Sequence, residues 1–566
     1  MCFITSRLYY FSKSKVTFEK QLRDIERTGT MRVEKIRIQK YRSIDDITLS
    51  FPKNKPLVLF GPNNAGKSNI LSAIDRLLGE RYPTYIEMLE SDYYMRDNNA
   101  FPTSQIVARF SDAYYTDKYG SSYNTVAVTY GYQGDPTNNI IHDGNGTRLY
   151  VSNEQRSRCQ SYLIDAERNI QSAFNYGSKY SLLSKFSHHI HKALSSKHKE
   201  DLNAAFEKIK MSFEETEEFS NFFDKFSGAL QGAVKGFVHS LAVDFSAYDP
   251  NNYAKSLRIY AKEGDSIRSF EEFGTGEQQV LLMAFVKAYM EVFTSENFVL
   301  IIEEPEAHLH PLAQKWLREY IVEMCSSGIQ VVLSTHSTDF IEAEYLDGLV
   351  RVYKESKTTK AVQLSKENLY SFCVASGASL SKTSPDNIID FYTTKLFPDQ
   401  LKGMFAETIV LVEGATEFFA LPIYLKRIGF SLAEHGIEII NCRGKDSIPL
   451  FWRLFKAYGY NCYFVFDGDS KSHENSKIFD KIITVDSWET DADKYVMTNE
   501  YAYFGADFEK YFRTVMAEYS LKEQEAVEVY HVTSKPGKAK AVAQHCEEIP
   551  EFITELKNRL EMIEIY

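Results

Sequence analysis

An excess of positive charge, paired cysteines and long apolar runs are all missing from this chain. Its 65 Lys and Arg are outnumbered by 77 Asp and Glu, for a net charge of −12. A uniformly basic coat that binds nucleic acid non-specifically is therefore disfavoured, although metal ions or a local cationic groove still let an acidic protein approach phosphates. The seven cysteines, Cys2, Cys159, Cys325, Cys373, Cys442, Cys462 and Cys546, are scattered and form no Cys-x-x-Cys pair. A disulfide framework and a zinc module are disfavoured, and a reducing cytoplasm is the expected setting. No stretch approaches the roughly 20 apolar residues of a membrane span, so no membrane partner is expected. The most apolar helical pattern, 280–293, is itself broken by Lys287 and Glu291, and the N-terminus carries no clear signal pattern.

At 566 residues the chain exceeds what one hydrophobic core serves, so more than one domain is expected. Residues 1–30 match no element, whereas Met31-Arg-Val-Glu-Lys-Ile-Arg-Ile opens an alternating strand. Residues 1–30 are expected to be a leader or appendage, with Met31 as the expected start. Residues 33–39 and 47–51 pattern as a hairpin, 56–60 as a short apolar strand and 68–78 as a helix. Strands are expected at 105–110, 125–132 and 161–164, with a Gly/Asn/Asp turn cluster over 135–146. From about 170 to 236 the pattern is helical and rich in Lys and Glu: an inserted arm or dimerisation surface, or a helical lobe of the same domain. The continuous apolar runs 298–302 and 330–333 suit strands buried on both faces, and their alternation with helices predicts an α/β domain with a largely parallel sheet. Residues 356–405 read as a connector. From Glu407 the α/β rhythm restarts, with strands at 408–412, 437–441 and 461–466 and helices at 416–428 and 448–458.

Residues 61–68 read GPNNAGKS between a strand and a helix, the context that makes a phosphate-binding loop credible. Gly61 and Gly66 permit the turn, Asn63, Asn64 and Asn69 flank it, Lys67 reaches the outer phosphates and Ser68 offers a hydroxyl to Mg²⁺. ATP with Mg²⁺ is the expected cofactor. The run at 298–302 ends in Glu303-Glu304-Pro305-Glu306. It resembles the Walker B strand of ABC-type ATPases, which assigns Glu303 to the Mg²⁺ shell, where Asp is usual, and Glu304 to orienting the attacking water. Residues 307–311 resemble the D-loop, and Ser334-Thr335-His336-Ser337 the switch-histidine segment. Gly274-Thr275-Gly276-Glu277-Gln278 resembles a degenerate ABC signature. That would set Thr275 and Gly276 over the nucleotide of a second subunit and implies a homodimer with composite sites. The opening MRVEKIRIQKYRSI resembles SMC/RecF-like ATPases, and Tyr41-Arg42-Ser43 their aromatic-Arg-Ser element, which puts Arg42 near the nucleotide. Gln105 is one candidate for the Q-loop glutamine.

A second centre lies further on. Glu413 ends a buried strand, Glu417 follows it, and Asp467-Gly-Asp469 ends another strand. Carboxylates converging on hard cations are what phosphodiester cleavage requires. The order Glu413-Gly-Ala-Thr-Glu417, Asn441-Cys-Arg-Gly-Lys445, Asp467-Gly-Asp469 resembles a Toprim fold, with its acids at strand ends. Mg²⁺ is expected there, with Mn²⁺ or Ca²⁺ as alternatives. Asp507-Phe-Glu509 opens another helix and either completes the acidic site or caps that helix. Lys535 and Lys538 either offer a cation to the phosphate or departing oxygen, or are solvated.

An SMC-like ABC ATPase followed by Toprim resembles the OLD (overcoming lysogenisation defect) family of endonucleases over nearly the whole chain from Met31, with EEPEAHLHP and LVEG-x-x-E as the characteristic stretches. The fold expected is α/β: an ABC-type ATPase domain at 31–355 with a helical insertion at about 165–240, a connector at 356–405 and a Toprim domain at 406–566. The resemblance implies a metal-dependent DNA endonuclease with an ATPase domain, a dimer or larger homo-oligomer. It also implies a bacterial or phage setting of antiviral defence, some relatives working with a helicase-like partner or in retron reverse-transcriptase cassettes. The residues assigned are Glu304 for ATP hydrolysis and Glu413, Asp467, Asp469, Asp507, Lys535 and Lys538 for DNA cleavage. Metal is assigned to Ser68 and Glu303 at the first centre, and to Glu413, Glu417, Asp467, Asp469, Asp507 and Glu509 at the second. The alternative is a non-catalytic DNA-binding sensor ATPase with a vestigial Toprim domain. A topoisomerase- or primase-like enzyme would need a separate tyrosine-bearing domain or a zinc module.

Overall fold

The computed structural model describes residues 31–96, 103–132, 135, 137–165, 182–217, 219–221, 260–263, 266–269, 272–293, 297–379 and 383–563. The leader expectation for 1–30 lies outside these residues, as do 166–181, 218 and 222–240 of the expected helical insertion. Two compact units are distinguished. The first runs to Leu163 and takes in Phe298–Glu306 and the chain from Gln314 onward; the second takes Ile164–Asn297 and Ala307–Ala313.

Alternation builds the first sheet. In Val33–Tyr41, Ile36 and Ile38 are buried while Lys35 and Arg37 face solvent, the period-two pattern of a half-buried strand. This strand pairs antiparallel with Ile44–Ser50 and Ser104–Phe110. An antiparallel wing continues through Thr125–Tyr130 to Ile140–His142. The other half of the eleven-stranded sheet is mostly parallel. Leu349–Glu355, Leu57–Phe60, Gln330–Thr335 and Asn297–Glu303 run side by side in that order, and Cys159–Ile164 closes the edge. Leu57–Phe60 and Gln330–Thr335 are buried at every position, as a strand covered on both faces requires. Residues 358–363, assigned to the connector from sequence, form the strand Thr358–Gln363, a hairpin partner of Leu349–Glu355.

In the second unit, helix Leu182–Ala193 packs on helix Thr275–Phe293, with Phe186 and Phe285 rings 5.8 Å apart.

The C-terminal part of the first unit carries a separate five-stranded sheet. Its order is Ile437–Asn441, Thr408–Val412, Asn461–Asp467, Tyr501–Phe504 and Tyr495–Met497. All neighbours are parallel except the last pair. The strand order reverses between Thr408–Val412 and Asn461–Asp467, so a crevice opens at their carboxyl ends. Helix Ala415–Arg427 and the C-terminal helices cover one face through a core that includes Leu421, Tyr424, Val465, Phe504, Phe512 and Phe552.

The two sheets of the first unit are joined by buried contacts. Phe60, the last residue before the glycine loop, meets Tyr458 and Phe405 edge-on, with centroids 6.2 and 6.0 Å away. Arg351 gives Nη1 to the carbonyls of Tyr458 (3.1 Å) and Gly459 (2.8 Å) and lies 3.7 Å from the Tyr460 ring centroid. Tyr458 returns its hydroxyl to the Leu346 carbonyl at 2.7 Å. The six described cysteines are free and buried, and no helix among the described residues is long and apolar enough to cross a membrane.

Candidate nucleotide and metal centres

The first centre forms where parallel strands end together. Gly61 (φ 141°) and Gly66 (φ 110°) bend the loop into conformations that suit glycine. A Cβ on Gly61 would strike the Val352 carbonyl, and one on Gly66 the Thr359 side chain. Helix Lys67–Leu78 then starts with its N–H groups facing the cleft. The cleft holds about 350 Å³ and is lined by Asn63, Asn64, Gly66, Lys67, Ser68 and Asn69 from the loop and by Glu304, His336 and Lys354 from neighbouring strand ends. Lys67 is buried and gives Nζ to the carbonyls of Gly61 and Pro62, both at 3.0 Å. Burial lowers its pKa to about 8, against the pull of Glu304, Glu306 and Glu303. An anionic phosphate is the partner such an ammonium lacks.

Ser68 donates its hydroxyl to Glu303, so the two oxygens assigned to Mg²⁺ face one another. Glu304 adopts φ 47°, its N–H on the Ser334 carbonyl at 2.9 Å, and its Oε1 lies 3.6 Å from His336 Nε2. Burial, then Lys67, keeps His336 below its usual pKa, which favours the neutral ring at this contact. Arg42 stands one step back. It pairs with Asp92 (3.0 Å) and braces Asn69 Oδ1 (3.3 Å) and does not line the cleft, because Asp92, itself tied to Arg76 at 2.7 Å, draws it away. Gln105 bonds Thr129 and His142 within the sheet, so it is spent before it could reach nucleotide. Thr275 and Gly276 open a helix of the second unit, where the Gly274 N–H meets Glu277 Oε2 at 3.2 Å.

Sequence reasoning missed Glu306. Its Oε1 takes the His336 N–H at 2.5 Å, and its buried Oε2 has no hydrogen-bond partner. Burial raises its pKa. The signal was the third acid of Glu-Glu-Pro-Glu, but its partner lies 30 residues away.

The second centre sits at the crevice of the smaller sheet. Glu413 follows one strand and Asp467 ends its neighbour; the Asp467 N–H donates to Glu413 Oε2 at 3.1 Å. Asp467 Oδ1 takes the Phe508 N–H at 2.9 Å, and Glu417 Oε2 takes the Gly414 N–H at 3.1 Å. Glu417, Asp467 and Glu509 are buried. Burial, then Glu413 and Glu509, raises Glu417 to about 7. Burial, then Glu417 and Glu413, holds Asp467 well above the usual carboxylate range. Burial likewise raises Glu413, against Lys445. Both Glu509 oxygens are buried without a hydrogen bond, and Lys535 Nζ forms an ion pair with Oε2 at 2.8 Å.

Three assigned residues are drawn elsewhere. Asp469 (φ 52°) turns from the cluster to Lys445, whose Nζ lies 2.6 Å from Oδ2 and also reaches Asn475 Oδ1 at 3.2 Å. Asp507 caps helix Phe508–Val515 through the Lys510 N–H at 2.9 Å and pairs with Lys510 Nζ at 3.1 Å. Those bonds outweigh its partial burial and lower its pKa. Lys538 pairs with Glu523 at 3.1 Å. Lys445 stood in the quoted Asn441–Lys445 stretch without an assigned role, and the structure puts it at the site. Among the described residues no three His, Cys, Asp or Glu side chains already stand in a metal-holding arrangement. The donor set nonetheless suits a hard cation: oxygen-only ligands, neighbours that raise one another's pKa, and two buried Glu509 oxygens that make no hydrogen bond.

These features define a class first, a P-loop ATPase sheet joined to a Toprim-like acidic crevice. Comparison with known proteins agrees. A family model described as AAA ATPase domain matches residues 31–140 and 110–341. One described as overcoming lysogenization defect protein-like, TOPRIM domain, matches 404–469. The OLD nuclease of Thermus scotoductus is 24% identical over 458 residues, covering 77% of this chain and 82% of its own. The Old nuclease of Escherichia phage P2 is 28% identical over 227 residues, 38% of this chain and 37% of its own. Among solved structures, the SmcHead bound to the C-winged helix domain of ScpA is 18% identical. It covers 59% of this chain and 97% of its own, at a TM-score of 0.36. The SMC head domain from Thermotoga maritima is 15% identical, covering 59% and 99% at 0.29. The chain belongs to the OLD family, an AAA-type ATPase domain followed by an OLD-like Toprim domain.

Proposed function

We propose that this chain is an ATP-regulated, divalent-metal-dependent DNA endonuclease, working as a homodimer or larger homo-oligomer in defence against phage. The observation that carries the reading is the half-buried Glu413 beside the buried Glu417, Asp467 and Glu509 at the sheet crevice, where neither Glu509 oxygen makes a hydrogen bond and only Oε2 meets a cation, Lys535. Hard-cation ligation is the chemistry that such a set fits. A divalent cation bound there supplies Lewis acidity toward the phosphodiester and acidifies water at neutral pH. Glu413, Glu417 and Asp467 would hold it, with Glu509 beside them. Asp467 is kept in place by the Phe508 N–H. Lys535, raised above its usual pKa by Glu509, Asp467 and Asp507 despite burial, stays protonated. It can meet a phosphate oxygen or give a proton to the departing one. Asp469 joins the metal set when it leaves Lys445.

At the first centre, Lys67 and the glycine-loop N–H groups would bind the phosphates, Ser68 and Glu303 the Mg²⁺, and Glu304 would orient water with His336 beside it. The Phe60–Tyr458 and Arg351–Gly459 contacts support ATP regulation. They run from Phe60, the residue before the glycine loop, and from Arg351, its neighbour on the adjacent strand, to the turn that feeds strand Asn461–Asp467. The relatives' printed name, nuclease, supports the activity.

A supercoiled-plasmid assay with Mg²⁺ or Mn²⁺, with and without ATP, tests the reading. Metal-dependent nicking that Asp467→Asn removes is expected. Metal-independent DNA binding with no nicking under any condition would instead favour the sensor ATPase, a reading to which the Asp469–Lys445 pairing lends some support.

A further inference from the structure

At the rim of the acidic crevice an aromatic ring and a guanidinium are held face to face in solvent. The Arg443 guanidinium lies 3.9 Å from the Phe397 ring centroid. Phe397 is 46% exposed and Arg443 is exposed. In water such a pair is too weak to order two surface side chains by itself. Here both backbones are pinned from beneath. Gln400, 2% exposed, takes the Phe397 N–H on Oε1 at 2.9 Å and gives Nε2 to the Asn441 carbonyl at 3.1 Å. Asn441 Oδ1 then takes the Arg443 N–H at 2.8 Å, with Arg443 at φ 59°. The next residue, Gly444, gives its N–H to the Glu413 carbonyl at 2.8 Å, and Lys445 follows it to Asp469. The pair is thus fixed to the strand end that carries the first carboxylate. Among the described residues Arg443 makes no ion pair. The nearby Asp399 is engaged by Lys402 at 3.4 Å, so the positive charge of Arg443 is left for an anion.

We infer that Phe397 and Arg443 form a stacking platform for an unpaired base of the DNA strand that enters the crevice. The inference rests on the nuclease reading and names its substrate class, DNA with an unpaired nucleotide beside the cut. A base offers a flat apolar face and a flanking phosphate. An aromatic ring under a guanidinium offers a flat surface and a cation. A base stacked in an intact duplex has both faces covered and cannot use the platform, so the device separates gapped, frayed or single-stranded DNA from paired DNA. The left-handed Arg443 is a second mark of design: it holds a non-glycine residue in a conformation of few favoured residues, and the Asn441 side chain secures that turn.

The test uses the full chain and the variants Phe397→Ala, Phe397→Trp and Arg443→Lys, each checked for an unchanged melting temperature. Fluorescence anisotropy in EDTA at one fixed salt concentration compares a labelled single strand with the same sequence as duplex. Phe397→Ala should weaken single-strand binding about 5- to 100-fold and leave duplex binding unchanged. Phe397→Trp should retain the preference, and Arg443→Lys, which keeps the charge but loses the plane, should lower it. Nicking of a gapped duplex relative to an intact one should fall in parallel. The proposal is overturned if the wild-type chain does not favour the single strand, or if Phe397→Ala binds it as the wild type does. Binding is read without metal. Failure of the wild type to cut therefore counts against the nuclease reading, and a wild type without single-strand preference, or a Phe397→Ala variant that keeps it, counts against the platform.

Discussion

Glu417→Gln is the variant that separates a metal centre from a merely buried acid. Burial and two facing carboxylates lift Glu417 from 4.5 to about 7, which destabilises its charged form by about 3 kcal/mol. The folded value lies above the unfolded one. The stability tied to the neutral carboxyl is therefore fully present below pH 4.5 and is lost as pH rises through about 7. Glutamine keeps an oxygen for the Gly414 N–H and removes the charge. Without metal at pH 8 the variant should be the more stable protein, by up to about 3 kcal/mol. For a domain of this size that is a rise in melting temperature of about 6–12 °C. At pH 5 the two proteins should melt together. Millimolar Mg²⁺ or Mn²⁺ should stabilise the wild type at pH 8, where it replaces a proton at the cluster, and do less for the variant, which should also fail to nick DNA. Tryptophan fluorescence can follow the transition, since Trp452 and Trp488 both lie in the Toprim part. A variant that melts at or below the wild type at pH 8 without metal, or is stabilised equally by metal, would refute the reasoning.

Other perturbations separate the two centres. Lys67→Ala removes the buried ammonium of the nucleotide cleft and should abolish ATP binding by calorimetry while metal-dependent stabilisation survives. Asp469→Ala should abolish nicking and spare ATP binding; full cleavage by this variant would remove Asp469 from the site. Gly61→Ala forces a Cβ into the Val352 carbonyl and should lower the melting temperature and block nucleotide binding together. Arg351→Ala strips a charged donor from the carbonyls of Tyr458 and Gly459. It should cost about 2–4 kcal/mol and make nicking insensitive to ATP, as plasmid assays at matched protein stability would show.

What the sequence disclosed were features with local cause. A glycine loop between an apolar strand and a helix, and acids placed where apolar runs stop, are written in adjacent residues, and both sheets carry them where the spacing implied. The strand Thr358–Gln363 stayed hidden for a local reason too. Its residues TTKAVQ contain little apolar alternation, and the turn before it, Ser356 (φ 47°) and Lys357 (φ 72°), lacks the Asn-Gly chemistry that usually announces such a hairpin. Long-range pairings were illegible. Lys445 meets an acid 24 residues on, and Glu306 steadies a backbone N–H 30 residues on. No spacing rule could tell that Asp469 would leave its neighbours for a lysine, or decide between the two readings of Asp507, of which the helix cap is the one the structure shows.

The aromatic seam between Phe60, Phe405 and Tyr458 has a practical corollary. A fragment beginning at the Toprim strands would leave the Tyr458 ring and the Arg351 socket bare, inviting aggregation when expressed alone. Grafting this half onto another relative would succeed only if the donor's stretch equivalent to Leu349–Glu355 travelled with it. The two halves should therefore be inherited as a matched set, and recombinants that split them should be recovered as insoluble protein.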